Sequence, residues 1–224
     1  TLAAFRLGAR HGYRMFECDA KLSADGVVFL LHDGTLERTT SGQGTAGDQP
    51  WAALAQLDAG GWHSRAWAGE PIPTLDNLAR WCLANHHLLD IEIKPTPGTE
   101  AATGRAVAAL AASLWQGAAV PPLLTSFQTE TLRAAQQVAP QLPRGLLLDT
   151  LWDGWLAAAR QLDCAAIVCN HALWDAATVS QVKAAGLRAL SYTVNDAWAA
   201  ERLMALATDG IVTDRVDLFS PASR

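Results

Sequence analysis

The sequence predicts an α/β protein built as a (β/α)8 barrel, on three observations. Short apolar runs recur along the chain, and from residue 74 each is separated from the next by one segment of helical periodicity; such alternation calls for a parallel sheet with helices outside it. Charged and polar side chains (Glu17, Asp19, Glu92, Lys94, Ser126, Tyr192, Asn195) stand at or near the C-terminal ends of these runs, where a barrel gathers its functional groups. The length, 224 residues, is right for one domain with an ample core, so 1–224 is read as a single unit.

Taken in order, Thr1 is a fair N-cap for a short helix carrying Leu2, Phe5 and Ala9 on one face and ending at Gly12. His11, in its last turn, reads as a cationic helix end. An extended segment at 16–19 meets Asp25-Gly26, a strong hairpin dipeptide, and returns as an apolar run at 27–32. Residues 34–73 are rich in Gly and Trp, have no strand pattern, and read as a small cap over the mouth of the barrel. Gly42 to Gly47 lacks the Gly-Lys-Ser/Thr ending of a phosphate loop. Helices are then expected at 74–85, 101–115, 128–138, 153–161, 175–185 and 196–206. Strands are expected at 88–94, 123–127, 144–148, 165–169, 187–194 and 210–213. With 16–19 these make seven parallel strands, one short of a closed barrel, and the missing one would precede Thr1.

Composition narrows the function. There are 22 acidic and 17 basic residues, a net charge of -5, and no basic stripe, which disfavours nucleic acid as a partner. No apolar run approaches a membrane span. The four cysteines, Cys18, Cys82, Cys164 and Cys169, show neither Cys-x-x-Cys spacing nor the density of a disulfide scaffold; a reducing compartment fits best, and zinc is disfavoured.

Glu17 and Asp19 lie two apart in an extended segment and so share a face. A two-residue turn centred on Asp25-Gly26 would set Asp19 opposite His32, bringing an imidazole to the two acids. A second carboxylate-bearing strand follows at Asp90-Ile91-Glu92-Ile93-Lys94. Carboxylates without a nearby Cys or His ligand pair favour a hard, oxygen-loving divalent cation, Mg2+ or Ca2+. A cation would turn the repulsion between these acids and an anionic ligand into binding, with Lys94 as a second positive group. Histidine takes or gives a proton near neutral pH, which suits His32 to acid/base work.

Several ordered motifs go further. Glu-x-Asp, Lys-x-Ser-x-Asp-Gly, His-Asp-x-x-Leu-x-Arg-Thr-Thr-x-Gly and Ile-Glu-Ile-Lys-Pro, with Pro73-Thr74-Leu75, Ser126-Phe127, Tyr192-Thr193-Val194-Asn195 and Gly210-Ile211-Val212-Thr213-Asp214, resemble the glycerophosphodiester phosphodiesterases. The match is nearest to the cytoplasmic bacterial type that accompanies glycerol-3-phosphate uptake. The resemblance implies a barrel of the phospholipase-like phosphodiesterase type that hydrolyses deacylated phospholipids to sn-glycerol 3-phosphate and an alcohol in the cytoplasm. Glu17, Asp19 and Glu92 match its metal ligands and His32 one of two histidines flanking phosphorus. Lys94, Arg38, Ser126 and Tyr192 are candidate phosphate or substrate contacts, Arg38 being equally suited to bracing the cap. Asp90 stands where relatives often carry Asn. The chain opens inside the family's Glu-Asn-Thr-Leu-Ala-Ala-Phe motif, so the strand bearing His-Arg-Gly is expected upstream of Thr1. Without it the chain as written is expected to be much less stable than a full-length form and to have little or no phosphodiesterase activity, and the alternative is a barrel that binds glycerophosphodiesters or metal without turnover. A second alternative is a phosphodiesterase that stops at a cyclic phosphate. Headgroup preference and oligomeric state are not readable from the residues.

Overall fold

The computed structural model describes residues 1–219; residues 220–224 of the expected domain lie outside the described residues. Among the described residues the sheet has eight strands. The first, β1 (Met15–Leu22), follows helix α1 (Leu2–Arg10) and is paired at its far end with the antiparallel β2 (Val28–Leu30). On its other side β1 pairs in parallel with β3 (Leu88–Ile93), and β4 (Leu123–Ser126), β5 (Arg144–Leu148), β6 (Cys164–Asn170), β7 (Arg188–Tyr192) and β8 (Gly210–Ile211) continue the parallel order. A four-residue helix in the cap, α2 (Trp51–Leu54), is followed by the helices between strands: α3 (Leu75–Ala84), α4 (Glu100–Leu114), α5 (Thr129–Val138), α6 (Trp155–Gln161), α7 (Ala176–Ala184) and α8 (Ala197–Ala205). Each expected strand and helix from residue 74 onward is present, most trimmed by one or two residues at the ends. The region at 34–73 holds only α2, two 3-10 turns and isolated bridges.

The alternation along each strand decides what faces helices and what faces the barrel axis. Cys18 and Ala20 of β1, Leu89, Ile91 and Ile93 of β3 and Leu124 of β4 point outward, where they pack with Leu75, Leu78 and Cys82 of α3 and Val107, Ala108 and Ala111 of α4. Leu146, Ile167, Cys169 and Ala189 build a second outward core with Ala159, Val179, Val182 and Leu203. Burying each of the larger side chains contributes about 1.5–3 kcal/mol. The inward positions include Glu17, Asp19, Lys21, Asp90, Glu92, Thr125 and Tyr192, with Lys94 just past the end of β3 and the apolar Leu147 and Val168 on the same interior wall. A third cluster, Phe29, Leu31, Leu36, Ala46, Leu54 and Ile72, holds the cap down on β2.

Local signals account for the register of these pieces. Thr74 caps α3 through a reciprocal box with Asn77: its hydroxyl accepts from the Asn77 N–H at 3.1 Å while the Asn77 carboxamide oxygen accepts from the Thr74 N–H at 3.4 Å. Such a cap contributes about 1 kcal/mol. At the cap, a Cβ on Gly47 would meet Thr96 Oγ1 at 2.1 Å and the Leu22 carbonyl at 3.3 Å, so only glycine lets the cap backbone lie this close to the strand ends.

The barrel is open on one side. No pairing joins β8 to β1 among the described residues, and a cavity of about 590 Å3 lies between them, bordered by Phe16, Glu17, Leu190 and Val212. The gap falls where a count of seven parallel strands puts it.

Candidate active site

A cavity of about 650 Å3 opens at the C-terminal ends of the strands and is lined by Glu17, Asp19, His32, Arg38, Asp90, Glu92, Lys94 and Tyr192, with Trp62 and Phe127 on its rim. The parallel pairing of β1 with β3 sets Glu17 beside Asp90 and Asp19 beside Glu92. One oxygen from each of Glu17, Asp19 and Glu92 lies within 4.8 Å of the others. Lys94 Nζ donates to Asp19 Oδ1 at 2.9 Å and stands 3.7 Å from Glu92 Oε1.

Crowding acids in a partly dry site raises their proton affinity. Burial pushes the Glu17 carboxyl well up, and repulsion from Asp19, Asp90 and Glu92 adds to it. Burial also raises Glu92, against the pull of Lys94. Lys94 pays for burial too, but Asp19 and Glu92 outweigh that cost and hold its pKa above the ordinary lysine value. Asp90 is fully enclosed; burial drives it up to about 7, although Thr125 Oγ1 donates to its Oδ1 at 2.9 Å.

The donor set fits a hard divalent cation. All three groups offer oxygen, and Glu17 Oε1 is buried without a hydrogen-bond partner, an acceptor with unused capacity. The four cysteines are buried and free, and none belongs to the cluster.

His32 reaches the same cavity by a different route from the one expected. The hairpin loop contains three residues, Ala24-Asp25-Gly26, closed by the Ser23 N–H to the Val27 carbonyl at 2.9 Å, with Gly26 at φ +86°. A three-residue loop of this type shifts the pairing by one relative to a two-residue turn. Ala20 therefore pairs with Leu30, and the Asp19 carbonyl accepts from the Leu31 N–H at 3.1 Å, so Asp19 faces Leu31 and not His32. Leu31 buries in the cap core, the strand ends, and the backbone turns His32 out to the mouth with its side chain 65% exposed. Its Nδ1 lies 2.7 Å from Asp33 Oδ1. Arg38 clamps the same carboxylate, Nε to Oδ2 at 2.5 Å and the terminal nitrogen to Oδ1 at 2.7 Å. The Arg38 guanidinium, followed by His32, holds the Asp33 carboxyl well below the usual range. An ionised carboxylate only accepts, so His32 Nδ1 is the donor and Nε2 carries the free lone pair. Arg38 thus both borders the cavity and braces the histidine.

Tyr192 lies on the wall of the mouth, edge-on to Phe127 at 5.7 Å, with its hydroxyl donating to the Leu148 carbonyl at 2.9 Å. Ser126 does not join it. Thr125 faces the mouth, so the next residue points to the other side of the sheet; the Ser126 hydroxyl donates to the Ile93 carbonyl at 2.7 Å and accepts from the Gln128 N–H at 3.2 Å, and the residue is 1% exposed. The structure does not bring Ser126 to the mouth with the other expected contacts: its hydrogen bonds are spent on backbone. Trp62, Phe127 and the inward Lys21 were missed in the sequence. Strand alternation from Glu17 and Asp19 would have picked out Lys21, whereas nothing local marks the other two.

Parallel strands carrying inward carboxylates and a lysine at their C-terminal ends, with a histidine at the mouth beside a short cap, make an α/β barrel of the kind that gathers an enzyme's functional groups at its strand ends. The model of the glycerophosphoryl diester phosphodiesterase family matches residues 1–218, and the chain belongs to that family. It is 30% identical to a glycerophosphodiester phosphodiesterase of Caldanaerobacter subterraneus over 96% of this chain and 87% of that one. Among solved structures, an Oleispira antarctica phosphodiesterase in complex with the product sn-glycerol-3-phosphate superposes with a TM-score of 0.88 at 32% identity, covering 96% of this chain and 86% of the other. The glycerophosphodiester phosphodiesterase of Agrobacterium tumefaciens superposes with a TM-score of 0.80 at 30% identity, covering 98% and 92%. Members of the family are phosphoric diester hydrolases, and no helix among the described residues is long and apolar enough to cross a membrane.

Proposed function

We propose that the chain hydrolyses glycerophosphodiesters to sn-glycerol 3-phosphate and an alcohol, with a divalent cation, Mg2+ or Ca2+, held by Glu17, Asp19 and Glu92. The observation that carries this reading is the meeting of those three carboxylates with Lys94 at the strand ends of a chain in this family. When bound, the cation supplies positive charge to a phosphoryl oxygen. Lys94 adds a fixed positive charge beside it and is in place before substrate arrives, so little reorganisation is needed as charge develops.

In the displacement a water molecule adds to phosphorus and loses a proton, while the P–O bond to the alcohol breaks and the departing alkoxide gains one. His32, oriented through Nδ1 by Asp33 and Arg38, serves one of these transfers through Nε2. Tyr192 and Phe127 offer an apolar wall to the substrate.

The test is phosphorus NMR of glycerophosphocholine incubated with the protein and Mg2+ or Ca2+. Release of sn-glycerol 3-phosphate supports the reading; a cyclic phosphate as the end product would replace it. One observation favours a second reading, binding without turnover: among the described residues His32 is the one imidazole lining the mouth cavity, while the chemistry calls for two proton transfers. Tight binding of glycerophosphocholine with no product would establish it.

A further inference from the structure

Lys21 is the one inward-facing charge of β1 that the reaction outlined above leaves unused. It follows Glu17 and Asp19 at two-residue spacing, so its side chain enters the same interior. Only 2% of the residue is exposed. Its Nζ donates to the Lys94 carbonyl at 3.3 Å, and among the described residues it makes no ion pair. A buried ammonium held by one long hydrogen bond is costly, and a neutral side chain would serve that carbonyl at less expense. The charges facing it are Asp19 on its own strand, Glu92 on β3, Lys94 just past its end, and Asp33 beyond β2, the last already matched by Arg38. Burial and Lys94 both act to lower its pKa, and Asp19 and Glu92 act to raise it.

We propose that Lys21 is a positioning residue of the site, whose buried charge sets the balance between cation affinity and phosphate affinity. The inference rests on the functional reading above. Glu17, Asp19 and Glu92 with Lys94 leave two formal negative charges, which one divalent cation cancels, so the loaded cluster has no net positive charge to add to the local pull of the cation and Lys94 on a phosphodiester. Whatever charge Asp90 carries, Lys21 raises the sum by one. It makes the acidic cluster a slightly weaker cation site and the loaded site a better anion site. At separations of several ångströms in a partly buried setting, a single charge is enough to change either affinity severalfold.

A purely structural lysine and an electrostatic one predict different outcomes. Lys21→Gln keeps a donor for the Lys94 carbonyl and removes the charge; Lys21→Met removes both. Calorimetry would titrate Ca2+ into the metal-free protein, and then sn-glycerol 3-phosphate into the protein at saturating Ca2+. The expected result is a shift in opposite directions in the Gln variant: Ca2+ binds about fivefold more tightly and sn-glycerol 3-phosphate about fivefold more weakly. The Met variant should follow it; if that variant does not fold, the Gln variant decides alone. Loss of both affinities together, or a Gln variant that matches wild type, overturns the inference and leaves the functional reading standing. A wild-type protein that binds neither Ca2+ nor sn-glycerol 3-phosphate overturns both.

Discussion

The Lys94 ammonium lies 2.9 Å from Asp19 Oδ1, so one strand's cation is seated on its neighbour's acid at the point where the carboxylates converge. The pair offsets part of the repulsion that raises Glu17 and leaves a net acidic pocket. One divalent cation is therefore expected per chain. Calorimetric titration with Mg2+ or Ca2+ should give a single site, and a Glu17→Ala, Asp19→Ala double variant should lose it. Unchanged binding in the double variant would remove these residues from the metal site.

In the proposed reaction His32, held by Asp33, is the acid/base arm. His32→Ala should lower glycerophosphocholine turnover by about a hundredfold or more while Ca2+ affinity stays near wild type. Asp33→Asn releases both the imidazole and Arg38, and a fall of roughly tenfold in kcat with little change in KM is expected. Turnover equal to wild type in both variants would show that the arm is ornamental.

Asp90 links the site to stability. Its folded pKa of about 7 lies above the ordinary aspartate value, about 3.9, so between these limits the folded chain keeps a proton that the unfolded chain has released. The contribution of Asp90 to stability is then full below about pH 4 and is lost as pH rises through 7. Asp90→Asn removes the ionisation and keeps an acceptor for Thr125. In metal-free buffer the variant should gain stability over wild type at pH 8, by up to roughly 4 kcal/mol, and show little gain at pH 4. Urea melts at the two pH values check it, and a gain of equal size at both would contradict the assignment.

Gly104 lies inside α4, where alanine would ordinarily be favoured by about 1 kcal/mol. Here a Cβ would sit 2.4 Å from the Thr131 carbonyl of α5 and 3.2 Å from Ala134 Cβ. Backbone cannot yield as a side-chain tip does, so Gly104→Ala should destabilise the chain by about 1–3 kcal/mol net. Chemical denaturation measures it, and a stabilised variant would mean that α4 and α5 can separate at little cost.

Much of this protein is legible in its residues because the signals involved are local. Apolar runs alternating with helical periods placed all six parallel strands after residue 74, and Thr74 marked the start of α3. Two-residue spacing put Glu17 with Asp19, and Glu92 with Lys94, on shared faces. What remained depended on which face turned inward and which chain segment arrived from afar. One extra residue in the hairpin loop moved Asp19 from His32 to Leu31, a shift too small for turn propensity to resolve. Pairing between β1 and β3 seated Lys94 on Asp19, and alternation along β4 turned Thr125 to Asp90 while sending Ser126 to the opposite side. Burial then set the proton affinities of Glu17 and Asp90. The sequence by itself determined the barrel class, its elements and the acids that could meet, because these follow from periodicity and residue chemistry over short spans. Only the tertiary structure decided which of them do meet and how charged they are, because register, facing and desolvation belong to contacts between residues far apart in the chain.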